Sequence, residues 1–122
     1  MPGKPYTRVD VASLERAGPK WGLVRRSLGL RAFGMNLIDL GPGEKIPEHD
    51  EVGRDQEEVF FVVRGSGAMV IDGEKVPLKA GVFVRVDPEA SRTVVNTSAK
   101  AVLTVLVASA PTTSGYEAME WA

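Results

Sequence analysis

GPGEKIPEHDEVGRDQEEVFFVVRGSG, residues 41–67, is the stretch on which the reading of this chain turns. It contains the protein's one histidine, His49. An acidic and amide cluster follows, including Asp50, Glu51, Gln56, Glu57 and Glu58. Then comes EVFFVVR, residues 58–64, rich in aromatic and β-branched side chains and followed by Gly65 and Gly67. That composition predicts a strand closed by a turn. Successive side chains of a strand point to opposite faces. One face of this run carries Glu58, Phe60 and Val62, the other Val59, Phe61 and Val63. Both are apolar beyond Glu58, whereas a strand with one wet face alternates more cleanly. The run is therefore expected to be covered on both sides, by a barrel interior and by a second sheet or a second subunit. The latter predicts a homodimer.

Outward from this stretch the pattern stays β-like. AMVI (68–71) and EKVPL (74–78) flank Asp72-Gly73, the strongest short-range hairpin signal, because both turn positions tolerate positive φ. VFVRV (82–86), RTVVN (92–96) and AVLTVLVAS (101–109) follow, and WGLVRRSL (21–28) and FGMNLIDL (33–40) precede. One short helix is expected near the N-terminus, capped by Asp10, running through VASLERA and stopped by Gly18-Pro19. Many short strands punctuated by glycine and proline argue for an all-β sandwich or barrel. No interval is long enough for the crossover helices of a parallel sheet. Residues 1–122 read as a single domain, with an N-terminal arm (1–20), a core barrel (about 21–109) and a tail (110–122). Tyr116, Met119 and Trp121 in that tail are expected to pack on the barrel or on a partner.

Composition narrows the function. There is no cysteine, which excludes disulfides, thiolate metal sites and cysteine nucleophiles. The net charge of -1 predicts no nucleic-acid footprint, and Lys20 and Arg25-Arg26 read as solvated faces. The longest apolar run, residues 101–108, is far short of a membrane span, and the N-terminus lacks a signal-peptide core. The chain is expected to be cytoplasmic, with no nucleic-acid or membrane partner.

The spacing of the central stretch resembles the first motif of the cupin superfamily. That motif runs glycine, five residues, His-x-His, three or four residues, Glu, six residues, glycine. Gly43 stands five residues before His49, and Glu58 stands six before Gly65. PLKAG before VFVRVDP is similar to the start of the second motif. Pro88 and Asn96 fit its continuation, and Arg92 stands where a histidine would be. The resemblance covers roughly residues 35–108. It implies a small single-domain cupin: a double-stranded β-helix, a jelly-roll-like barrel of two antiparallel sheets.

In that family two first-motif histidines, the Glu and the second-motif histidine commonly hold a divalent metal. Here His49 and Glu58 are retained, Glu51 replaces the second histidine and Arg92 the last. Glu51 is tolerable, since carboxylate oxygen binds manganese, iron or zinc, and it shares a strand face with His49. Arg92 is not, because guanidinium stays protonated and has no lone pair. The expectation is therefore a small-molecule-binding cupin with no cofactor. Its polar cavity is lined by His49, Glu51, Gln56, Glu58 and Arg92 and favours a small anionic or carboxylate ligand. Arg92 pairs with the carboxylates in place of the metal's charge. The alternative is a divalent-metal-dependent cupin enzyme, oxygenase or isomerase-like, holding manganese, iron, zinc or nickel at His49, Glu51 and Glu58. Asp50 and Glu57 are expected to face away from the cavity. Ser66 has no histidine near it, and Gly65, Gly67, Gly73 and Gly81 read as turn glycines.

Overall fold

The computed structural model of the chain describes residues 3–122. Its strands are β1 (Arg16–Ala17), β2 (Trp21–Gly22), β3 (Gly34–Leu40), β4 (Gln56–Arg64), β5 (Ser66–Ile71), β6 (Glu74–Lys79), β7 (Phe83–Val86), β8 (Arg92–Val95) and β9 (Leu103–Pro111). They form two antiparallel sheets. The larger runs β1-β2-β3-β9-β4-β7 and the smaller β6-β5-β8. Residues 45–49 extend the smaller sheet by single bridges, Lys45 to Val95 and His49 to Arg92. No helix among the described residues is long and apolar enough to cross a membrane.

The two sheets face each other across an apolar core that includes Ile38, Leu40, Phe60, Met69, Val94 and Val105. The pleat of β4 explains which residues reach it. Phe60 and Val62 are buried, while Val59 and Val63 on the other face are 38% and 47% exposed. Phe61 is half-covered by Phe83, with ring centroids 4.4 Å apart. The outer face of β4 is therefore only partly covered within one chain.

The helix lies elsewhere than expected. Asp10 does cap a turn, its carboxylate accepting from the Ser13 N–H, but only a single 3-10 turn (Val11–Ser13) follows. The chain then leaves the helix because Arg16 and Ala17 pair with Gly22 and Trp21. The strand expected over 21–28 ends at Gly22, and α1 (Val24–Leu28) takes its place. Gly29 closes α1 in the left-handed conformation at φ 72°, which glycine adopts without a Cβ penalty.

Gly67, read as a turn residue, lies instead within β5. A Cβ there would run into the Val95 carbonyl, so the glycine permits close backbone approach. Tyr116, Met119 and Trp121 are exposed, so the tail does not pack on its own barrel.

Candidate functional site

A cavity of about 710 Å³ opens between the sheets. His49, Glu51, Gln56 and Glu58 all line it, together with Asn36 and Ser109. β4 begins at Gln56, so Gln56, Glu58 and Phe60 share its inner face. Glu58 is in register with Ser109 of β9, and Ser109 with Gly34 of β3. A Cβ at Gly34 would lie 2.6 Å from the Ser109 Oγ. The missing side chain at position 34 therefore makes room for the Ser109 hydroxyl beside Glu58.

His49 is placed by backbone pairing with Arg92. Its N–H donates to the Arg92 carbonyl at 3.0 Å, and the Arg92 N–H donates back at 2.8 Å. The imidazole Nδ1 lies 2.9 Å from the Pro47 carbonyl, which only accepts, so Nδ1 carries a proton. Nε2 then lies 3.1 Å from Glu51 Oε2. An imidazole nitrogen and a carboxylate oxygen at that distance are two donor atoms placed to share one cation. Glu51 is returned towards Glu58 by the Val52–Arg54 turn, because its carbonyl accepts from the N–H of both Arg54 and Gln56. The loop between the two carboxylates thus closes on itself. Ligand atoms of His49, Glu51 and Glu58 lie within 4.8 Å of one another.

Glu58 is held above the ordinary carboxylate value, first by burial and then by the negative charge of Glu51; Arg92, His49 and Arg54 pull the other way. Arg92 donates from Nη1 to Glu58 Oε1 at 3.1 Å and from Nη2 to the Asp87 carbonyl at 2.6 Å. Its side chain has no exposure and is not on the cavity wall. This corrects the expected position of Arg92: Glu58 stands between it and the cavity. Gln56 donates its amide to the Arg54 carbonyl at 3.0 Å. Asp50 and Glu57 are both exposed, and Asp50 accepts from the Val52 N–H.

The residues fit a divalent cation on three counts. The donor set is one imidazole and two carboxylates, suited to manganese, iron or zinc. The second imidazole nitrogen is committed to a backbone carbonyl, the usual arrangement for a metal-bound histidine. Arg92 occupies one oxygen of Glu58 and orients it, leaving the other free.

Three arginines on the cavity wall, Arg25, Arg31 and Arg54, escaped the sequence reading. Arg25 looked like a solvated face because a short basic pair usually is one, and nothing local marks Arg31 or Arg54. Asn36 was legible. It alternates with Ile38 and Leu40, both buried, so a polar residue sits on an inward face.

Residues 36–108 match the family model described as the cupin domain. Among curated proteins, none matches the chain. Among solved structures the chain is similar to a cupin protein of Bacteroides fragilis, at 23% identity and a TM-score of 0.80, covering 98% of this chain and 94% of that one. It is also similar to a sugar phosphate isomerase of the cupin superfamily from Silicibacter pomeroyi, at 22% identity and a TM-score of 0.71, covering 87% and 76%. A predicted oxalate decarboxylase from Thermotoga maritima matches at 21% identity and a TM-score of 0.68, covering 84% and 97%. At these identities the likeness establishes the fold alone.

Proposed function

The chain belongs to the cupin domain family, and on that footing we propose that it is a small-molecule-binding cupin whose cavity holds one divalent cation at His49, Glu51 and Glu58. The observation that carries this reading is the convergence of the three donor atoms within 4.8 Å on the wall of a cavity. A cation bound there supplies positive charge to which oxygen atoms of a ligand are drawn. The chain's own residues do the rest. Pro47 fixes the imidazole tautomer, and Arg92 holds Glu58 from the buried side. Asn36 and Ser109 offer hydrogen bonds to the ligand from the cavity wall.

Elemental analysis of protein purified without chelator, followed by calorimetric titration with Mn²⁺, tests the proposal. About one equivalent of metal is expected, with uptake lost in His49→Ala and Glu51→Gln. Wild-type protein that neither carries nor takes up metal sinks it.

A second reading is favoured by one observation, the ion pair between Arg92 and Glu58. In it Arg92 stands in for the metal's charge, and the cavity binds a small anion with no cofactor. The Arg92→His variant separates the two. Metal uptake by that variant and not by wild type supports the second reading.

A further inference from the structure

Arg25 on α1, Arg31 on the connection to β3 and Arg54 in the Val52–Arg54 turn line the same cavity as the His49 cluster. An exposed arginine is ordinary by itself. What sets these apart is that two segments distant in sequence deliver them to one cavity. Among the described residues Arg16, Arg26, Arg85 and Arg92 each have a carboxylate within ion-pair distance. Arg25, Arg31 and Arg54 form no such pair. Among the described residues the carboxylates on the wall are Glu51 and Glu58, paired at short range with His49 and Arg92, while Arg54 acts on Glu58 only at longer range. The cavity therefore carries two kinds of recognition chemistry. One is the imidazole–carboxylate cluster. The other is a set of guanidinium groups, which match phosphate and carboxylate oxygens in a fork geometry.

Size points the same way. A volume of about 710 Å³ lies in the range that takes a drug-sized ligand and exceeds what a two-carbon diacid fills. Asn36 and Ser109 add hydrogen-bonding groups that suit hydroxyls. We propose that the ligand is a short polyhydroxylated chain carrying, besides the group at the His49 cluster, a second oxyanion, a phosphate monoester or a carboxylate, bound by Arg25, Arg31 and Arg54. This deepens the reading above and rests on the cavity being the ligand site, but it does not need the cation.

Gluconate, glucarate and 6-phosphogluconate share a carboxylate end and a polyol chain. They differ at the other end, which is a hydroxymethyl, a carboxylate or a phosphate. Calorimetric titration of each into the full chain, with and without Mn²⁺, tests the assignment. At least one of the two-anion compounds should bind about ten- to a hundredfold tighter than gluconate, the range expected for a charge-assisted hydrogen bond. Which of them does so tells phosphate from carboxylate. The advantage should vanish in the Arg31→Gln/Arg54→Gln double variant, both positions being exposed, while Mn²⁺ uptake does not fall. Equal binding of all three compounds, no binding of either two-anion compound, or an advantage that survives when Arg25→Gln is added overturns the proposal. Absence of Mn²⁺ uptake by wild type strikes the cation alone, because the comparison of ligands is also made without metal.

Discussion

Arg92 and Glu58 form an ion pair at 3.1 Å in which the guanidinium has no exposure and the carboxylate 13%. The pair joins the buried side of β8 to the inner face of β4, and it turns Glu58 into a two-sided residue. One oxygen is bound within the protein, and the other is left to the cavity. The remaining donors of Arg92 are not all satisfied. Nη2 reaches the Asp87 carbonyl, but the buried Nε has no partner. An unpartnered buried donor is a cost the fold accepts. It makes the geometry of this pair more consequential for stability than that of a surface ion pair.

Removing one side of the pair should be far worse than removing both. Arg92→Met leaves Glu58 part-buried without its counter-charge and is expected to destabilise the fold by about 3–5 kcal/mol at neutral pH. Adding Glu58→Gln to that variant should recover much of the loss, because no buried charge is then left unpaired. Denaturant unfolding of the two single variants and the double variant completes the cycle. Additive losses would show that the two residues are not coupled.

The state of Glu58 also has a signature in pH. Its carboxyl sits above the ordinary value of 4.5, chiefly because of burial. Between 4.5 and its native-state value the folded protein retains a proton that the unfolded chain has released. The unfolded state then binds fewer protons, so stability falls as pH rises through that window. Above the window the contribution is lost. Unfolding midpoints followed upward from pH 4 should decline in wild type, and the decline should be smaller in Glu58→Gln. A wild-type minus variant difference that grows with pH contradicts the assignment.

Gly34 and Ser109 should behave as a matched pair. Gly34→Ala places a methyl 2.6 Å from the Ser109 Oγ. The hydroxyl must turn or the strands must part, at a cost of about 1–3 kcal/mol. Ser109→Ala removes the obstructing oxygen, so the double variant should regain most of that loss. A thermal melt series reads the outcome, and no rescue by Ser109→Ala would place the strain elsewhere.

The barrel was legible because its signals are local or periodic. Phe60 and Val62 fall on one face of β4 by alternation, and Asp72-Gly73 marks the β5–β6 hairpin without knowledge of the rest. The spacings from Gly43 to His49 and from Glu58 to Gly65 carry a family pattern that the match over residues 36–108 bears out. The N-terminal region was misread where two local signals competed. Trp21–Leu28 has strand-like residues, yet only Trp21 and Gly22 find a partner in β3, and the rest coils into α1. Pairing partners lie far away in sequence, so composition alone does not decide between the two.

The sequence by itself determined an all-β pattern and a shared face for His49 and Glu51, since alternation depends only on neighbouring residues, and the nearness of Glu58 to them was implied by the resemblance to the cupin motif. Tertiary structure decided what Arg92 does and which arginines reach the cavity. Position 92 meets position 49 through backbone pairing, but its side chain is drawn behind Glu58 to the Asp87 carbonyl. A buried guanidinium goes where an opposite charge and an acceptor are both available, and only the folded chain brings these together. For the same reason Arg25, Arg31 and Arg54, ordinary surface residues when read along the chain, converge on one cavity once the strands have closed around it.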